Sequence, residues 1–504
     1  MSTTAVVFGN QLYREHPALC NADQILMVES NAKLRELYWH RKKLVFVLSA
    51  MRHYAAELRA AGRVVDYRAG AGRFREALAD HIAQYNVTRI VVVEPSEYAA
   101  MQAVGRWAQH FPQVQFEILP ETVNFTCNRA AFERWANDQR GLLLERFYRW
   151  QRTRLDILME GKEPAGGRWN FDADNREVAA SLPHAPEPNW SAPDDLTRAV
   201  IDYVEKHFPD TWGEADDFRY PVTNAEAAVW LDDFIEQRLP NFGPWEDAMD
   251  ADQQFLFHGM TAMLFNIGLL DPLYVAQRVE LAYREGKVPL QSAEGYIRQI
   301  LGWREYVHGV YWRFMPEYRE RNFFNHTLPL PQFFWDGETK MNCLHHTIND
   351  VQQNAYTHHI PRLMVISNWA NLAGVEPAAL TRWFRSVYID AYDWVMWPNV
   401  LGLGLFADGG LMSTKPYVSS AQYIKKMSRG YCDGCAYNPN VKRGEGACPF
   451  NVMYWDFMAR NYAKLKNNPR MAVILAQVEK RADLDELRAE VDELREGWKA
   501  GRQP

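Results

Sequence analysis

The sequence predicts an α/β N-terminal domain on a Rossmann-like, doubly wound parallel sheet, then a connector, then a large all-α C-terminal domain. Three observations carry this reading. Short β-rich runs alternate with helical stretches over residues 1 to about 125. A segment rich in Pro, Gly, Asn and Asp follows, from about 128 to 210. From 211 onward, apolar residues recur at three- and four-residue spacing. The expected divisions are therefore 1–127, 128–210 and 211–504.

The β-rich runs are TAVVFG, QILMVES, KLVFVLSA, RVVDYR, RIVVVEP and FEILP. Between them lie amphipathic segments such as MRHYAAELRAAG (51 to 62), closed by Gly62. Strands alternating with helices make a parallel sheet, and such sheets bind ligands beyond the carboxyl ends of their strands. Those ends carry Gly9, Asn10 and Gln11, then Glu29, then Glu94 to Glu97. No GxGxxG or GxxxxGKS/T follows any strand, which argues against a nucleotide held through its phosphates. A small polar ligand without phosphate fits these ends, and so does an empty scaffold.

In the connector, LLLERFYRWQRTRLDILMEG reads as helix, whereas KEPAGGRWNFDADNRE and SLPHAPEPNWSAPDD read as extended and irregular. Beyond it, TNAEAAVWLDDFIEQRL, QSAEGYIRQILGWREYVHGVYWRFM and PAALTRWFRSVYIDAYDWV have helical periodicity. Leu484, Leu487, Val491, Leu494 and Trp498 place a final helix against its own domain.

With 504 residues the chain has room for two to four domains, and 47% hydrophobic with 24% charged residues is an ordinary globular composition. A net charge of −7 argues against a protein that coats nucleic acid generally, although a local basic patch is compatible with it. The 18 Trp, 25 Phe and 24 Tyr suit a large helical core, or stacking on a cofactor and movement of electrons. The opening MSTTAVVFGNQL lacks a charged leader, and no apolar run reaches the ~18 residues of a membrane span. A cytoplasmic protein without membrane contact is expected, where clustered cysteines bind metal more often than they form disulfides.

Three of the six cysteines fall in YCDGCAYNPNVKRGEGACPF, residues 431 to 450. Cys432 and Cys435 share a Cys-x-x-Cys turn through Gly434, and Cys448 precedes Pro449, an ending found in iron–sulfur ligand runs. Zinc and a cubane iron–sulfur cluster both need four ligands, so one more is required. On residue chemistry the two centres stand level.

Several segments together resemble the photolyase and cryptochrome family. QILGWREYVHGVYW (299 to 312) resembles its WREF-type flavin motif, and YTHHIPRLMV (356 to 365) its histidine-bearing helix. TRWFRSVYIDAYDWVMWPNV (381 to 400) resembles the segment around the isoalloxazine ring. The connector GGRWNFDADN (166 to 175) and four of the cysteines resemble the iron–sulfur bacterial branch of cryptochromes and photolyases, the prokaryotic (6-4) photolyases. The likeness spans essentially the whole chain.

The resemblance implies FAD in the helical domain, a 4Fe–4S cluster and a 6,7-dimethyl-8-ribityllumazine antenna in the α/β domain. Cys343 matches the distant cluster ligand, which joins Cys432, Cys435 and Cys448. Thr261, Gln299, Trp303, Arg304, Arg362, Asp390, Tyr392, Met396 and Asn399 match flavin-side positions. Gly9, Asn10, Gln11 and Glu29 fall to the antenna. Trp383 and Trp335 match the photoreduction route, and His358 and His359 the proton-donating pair. Three positions depart from the pattern: Met396 where relatives often carry Glu, Phe384 where they can carry Tyr, and Asn10 where an acid is expected.

The implied activity is light-driven repair of (6-4) photoproducts in UV-damaged DNA, with the antenna feeding reduced FAD and the protein acting as a monomer. A lesion flipped into the pocket accepts the electron. Lys415, Lys425, Lys426 and Arg429 are placed to meet phosphates, or form a solvated helix face. Two other classes share parts of this pattern: a blue-light signalling cryptochrome, and a non-photochemical iron–sulfur or zinc nucleic-acid binder.

Overall fold

Five of the six β-rich runs form one parallel sheet. In the computed structural model, which describes residues 2–504, these are β1 (Ser2–Val6), β2 (Gln24–Ser30), β3 (Val64–Ala71), β4 (Val87–Val93) and β5 (Gln115–Leu119). Their order is β3-β2-β1-β4-β5, with every pairing parallel. The direction of winding reverses between β1 and β4, so the crevice at their carboxyl ends is the topological switch point.

The sixth run, KLVFVLSA, is helical and belongs to α1 (Arg41–Ala60). His40 caps α1 by accepting the Lys42 N–H on its side chain, and Leu44, Val45, Phe46 and Leu48 are all buried. A helix end buried on every side gives the same continuous apolar run as a buried parallel strand, so the pattern alone cannot separate them. Strand alternation feeds both sheet faces. Ala5, Val7, Ile25, Met27, Val91 and Val93 share a core with α1. Val6, Leu26, Ile90 and Val92 pack on the other side against α2 (Phe74–Tyr85) and α3 (Tyr98–His110).

The connector holds α4 (Arg129–Asn137), α5 (Leu144–Leu155) and α6 (Asp195–His207). Asp194 caps α6 by accepting the Thr197 N–H at 2.8 Å, and α6 packs along α1, so the end of the connector completes the α/β layer. Its irregular middle is tied to the helical domain instead: Glu294 accepts the Phe171 N–H, and Asn175 donates to the Gln291 carbonyl.

In the helical domain, α7 (Leu290–Ile297) runs through the π-wound turn Arg298–Arg304 into α8 (Glu305–Phe314). Next come α9 (Asn342–Asn354), a second π-wound turn (Pro361–Ser367) and α10 (Pro377–Val387). A third π-wound turn (Trp397–Gly404) precedes α11 (Pro449–Arg460) and α12 (Leu484–Lys499). As the tail pattern suggests, Leu487, Val491 and Trp498 are buried on the domain, with Trp498 4.8 Å from Trp369.

The periodic stretch through VYIDAYDWV does not stay helical. α10 stops at Val387 and Tyr388 is extended at φ −91°, ψ 134°. Partners from other elements replace the helical bonds: Ile389 N–H donates to the Ala355 carbonyl, Asn266 donates to the Asp390 carbonyl, and Lys43 to the Ala391 carbonyl. Among the described residues no helix is long and apolar enough to cross a membrane.

Candidate functional site

The π-wound turns carry most of the flavin-side residues named from sequence. Gln299, Trp303 and Arg304 lie at the first, Arg362 on the second and Asn399 on the third. A π turn inserts an extra residue per turn and re-aims side chains, which is why such turns concentrate at functional sites.

Arg362 and Asp390 form a two-pronged pair, at 3.0 and 3.1 Å between guanidinium nitrogens and carboxylate oxygens. Asp390 sits in the extended break after α10 rather than on a helix. The Arg362 Nε–H also donates to the Thr357 carbonyl at 2.7 Å, and the guanidinium lies 3.9 Å over Tyr388. Thr261 shares a 2.6 Å hydrogen bond with the Tyr296 hydroxyl. Around this group several buried polar atoms have no partner within the protein: Asn266 Oδ1, Arg238 Nε, His258 Nε2 and Glu246 Oε2. Burial pushes the Glu246 carboxyl up to about 8. Buried orphans are normally rare. Their gathering here fits a polar ligand that meets them.

Other sequence-named residues are engaged within the protein. Arg304 donates to the backbone and side-chain oxygens of Asn124 and lies against Phe125 and Trp394, clamping the end of the α/β domain onto the helical domain. Gln299 donates to the Gly295 carbonyl and Asn399 to the Val395 carbonyl. Trp303 is half-buried, Met396 is buried, and Tyr392 lies under the Lys43 amine.

The paired histidines divide sharply. His358 is buried, whereas the His359 side chain is 47% exposed and lies 3.5 Å from Asp247. A third histidine, His258, stacks on His358 with ring centroids 4.2 Å apart. Ligand nitrogens of all three lie within 4.8 Å of one another. Burial, then His258, His359 and Arg362, hold His358 well below the usual imidazole range. It is therefore a neutral ring in the free protein. The Ile360 N–H donates to its Nδ1 at 3.4 Å, which leaves the proton on Nε2. His258 gave no signal in the sequence, because a lone histidine in HGMTAM carries no motif.

Cys343 at the start of α9 meets the C-terminal trio. Its thiol is driven well above the ordinary range by burial and then by the sulfurs of Cys448, Cys435 and Cys432, so all four are close enough to feel one another. Cys432 is likewise pushed up to about 11 and Cys448 to about 12, each chiefly by burial. Gly434 has φ +71°, the left-handed conformation that turns the Cys-x-x-Cys loop back on itself. Four crowded thiols are stable as thiolates once a cationic centre sits among them. The sulfurs do not form a group within 4.8 Å of one another as the histidine nitrogens do. Cys20 and Cys127 lie outside the set, Cys127 beside Asn128.

Trp383 is buried with its indole N–H on the Phe334 carbonyl, and Trp335 is 6.5 Å away. Phe384 stacks on Tyr388 at 5.1 Å.

At the switch point of the sheet, Asn10 donates to Ser96, and Gln11 donates to the Val93 and Glu94 carbonyls while its buried Oε1 lacks a partner. Gly9 packs where a Cβ would stand 2.7 Å from Met51 Sδ. Glu29 is already satisfied by both prongs of Arg52 and the Tyr67 hydroxyl.

Among the basic residues, Arg429 is paired with Asp250, and Lys425 donates to Asn440. Lys426 is exposed. Lys415 sits in the field of Arg470 and Arg176, which together with burial lower its pKa. Arg176 also faces Tyr423, which senses Asp247 beside His359. These arginines were not singled out from the sequence.

The chain is 43% identical over 481 residues to a (6-4) photolyase of Agrobacterium fabrum, covering 94% of each protein. Residues 5–220 match the family described as deoxyribodipyrimidine photo-lyase-related protein. In fold it is similar to a bacterial class III photolyase from Agrobacterium tumefaciens, at a TM-score of 0.53 and 15% identity over 81% of both chains. It is also similar to a cryptochrome of Synechocystis, at a TM-score of 0.55 and 14% identity over 80% of this chain and 82% of the other. With its parallel sheet, helical domain and near full-length relative, the chain belongs to the photolyase and cryptochrome family.

Proposed function

We propose that this protein is a light-driven DNA repair enzyme, a (6-4) photolyase that binds UV-damaged DNA and uses FAD. The observation that carries the reading is the buried, neutral His358, whose Nε2 carries a proton within the Arg362–Asp390 neighbourhood. It stands in a chain 43% identical over 94% of its length to a (6-4) photolyase.

Bound FAD supplies a light-excited electron donor. The chain's own residues do the rest. Arg362 and Asp390 offer a fixed cation and a carboxylate to the flavin edge, and Thr261 with Tyr296 offers hydroxyls. The orphaned atoms of Asn266 and Arg238 complete its polar contacts. His358 holds a donor proton for a lesion flipped out of the duplex, and the half-exposed His359 lies beside Asp247. Lys415, Arg176 and Arg470 supply positive charge for phosphates.

A 4Fe–4S cluster on Cys343, Cys432, Cys435 and Cys448 is supported by the mutual field of the four thiols. For 6,7-dimethyl-8-ribityllumazine the support is the unpartnered Gln11 Oε1 at the switch point, Glu29 being committed to Arg52.

The test is a (6-4) oligonucleotide incubated with the purified, reduced protein in blue light and in darkness. Restoration of the paired pyrimidines in light alone is the expected result. A flavin-loaded protein that repairs nothing would assign it to signalling instead.

A further inference from the structure

The aromatic neighbours of Trp383 differ in what they can pass on. Phe334 at 5.2 Å and Phe384 at 5.3 Å are phenyl rings, which resist oxidation. Tyr388 is 6.0 Å away, but the Arg362 guanidinium lies 3.9 Å over its ring and its hydroxyl is buried against Thr357. A positive hole there would face a fixed cation and find no water to take its proton. Trp335 at 6.5 Å is the remaining outlet.

From Trp335 there are two further rings. Trp212, at 6.2 Å, is buried, and its indole N–H is spent on the Trp335 carbonyl at 2.7 Å. Tyr38 stands edge-on to Trp335 at 5.4 Å and is 47% exposed. The adjoining Trp39 offers no route, with the Lys43 amine 4.9 Å and the Arg385 guanidinium 5.8 Å from its ring. Tyr38 comes from the α/β domain, just ahead of α1, so the path leaves the helical domain altogether.

We infer that Tyr38 is the terminal electron donor of photoreduction, along the route Trp383, Trp335, Tyr38. This rests on the flavin reading above. One electron moves at each step: Trp383 yields one toward the photoexcited flavin, Trp335 refills Trp383, and Tyr38 refills Trp335. Tyr38 releases its phenolic proton to bulk water and becomes a neutral radical. A thiol in solution then supplies the hydrogen atom that restores the phenol. Because the proton has left, the hole cannot simply run back, and a mere rim tyrosine acquires a function that its exposure makes possible.

The experiment illuminates the FAD-loaded protein with a thiol reductant, following flavin reduction by absorbance and radicals by electron paramagnetic resonance. A parallel sample carries a nitroso spin trap for peptide mapping. The wild type is expected to show a tyrosyl signal and a trap adduct on the Tyr38 peptide. Tyr38→Phe should lose both, keep its flavin spectrum and reduce flavin severalfold more slowly. Tyr38→Trp should restore the rate with a tryptophanyl signal. An unchanged rate and tyrosyl signal in Tyr38→Phe, with Trp383→Phe still slow, overturns the exit alone. If Trp383→Phe is also unchanged, the exit falls together with the flavin reading beneath it.

Discussion

His258 and His358 lie face to face, 15° from parallel and 4.2 Å between ring centroids. Both are buried, and burial, followed by neighbouring imidazoles and arginines, holds each well below the usual imidazole range. The stack therefore positions a neutral donor, not a charged one. His358→Ala is expected to retain flavin but lose light-dependent repair. His258→Ala should repair more weakly, with flavin again retained. His359→Ala should be the mildest, since that ring is half in solvent. Normal repair by His358→Ala would move the donor elsewhere.

The Arg362–Asp390 pair is buried and two-pronged, so removing one partner leaves an uncompensated charge. Such losses run to about 3–5 kcal/mol. Asp390→Asn should lower the urea midpoint and release flavin during gel filtration. Arg362→Lys should bind flavin more weakly than wild type, because an ammonium cannot form the paired bonds.

Changing Cys343, Cys432, Cys435 or Cys448 to serine should give poorly soluble, iron-free protein, because metal binding and folding are linked. Iron assay and the visible spectrum report this directly. Cys20→Ser should be silent. A soluble, iron-replete Cys343→Ser protein would remove it from the ligand set.

Trp383→Phe should sharply slow light-driven flavin reduction while leaving the binding spectrum intact. Trp335→Phe should do the same, since Trp335 is the only oxidisable neighbour of Trp383 free of a fixed cation.

Buried histidines set an acid limit on stability. Burial holds His40 and His326 down to about 3, against an ordinary value of 6.5. Between those values the unfolded chain binds more protons than the folded one. The stability from each is full above pH 6.5 and falls with pH toward 3, by up to about 1.4 kcal/mol per pH unit. Glu246 and Asp350, raised to about 8 by burial, act in the opposite sense and lose their contribution as pH rises toward that value. The readout is thus a difference: urea midpoints of wild type and His40→Gln should converge as pH falls from neutrality to about 5. Parallel curves would refute it.

The sheet was legible because five runs carry β-branched residues that feed two cores at once, and the C-terminal cysteine trio stood out by its spacing, whereas Cys343 joined it only through the family resemblance. KLVFVLSA failed because α1 is apolar all round where it enters the core. VYIDAYDWV failed because its carbonyls and amides are claimed by Asn266, Lys43 and Ala355, which lie far away in sequence. Arg362 and Asp390 stood out in sequence only as matches to flavin-side positions, and the stacking of His258 on His358 arises only once residues 100 positions apart are brought together by the fold.

Three groups at the head of α1, His40, Lys42 and Lys43, reach across the molecule. His40 meets the Gln352 carbonyl, Lys42 the Gln353 carbonyl, and Lys43 the carbonyls of Arg385 and Ala391 at 2.8 and 2.5 Å. The last two acceptors bracket the loop that carries Asp390. The α/β domain is thus not an interchangeable cassette. A chimera that swaps residues 1–127 for a domain lacking lysines at 42 and 43 would strip the buried Arg385 and Ala391 carbonyls of their donor and loosen the loop that carries Asp390. Grafting a new α/β domain onto this scaffold means carrying those lysines along.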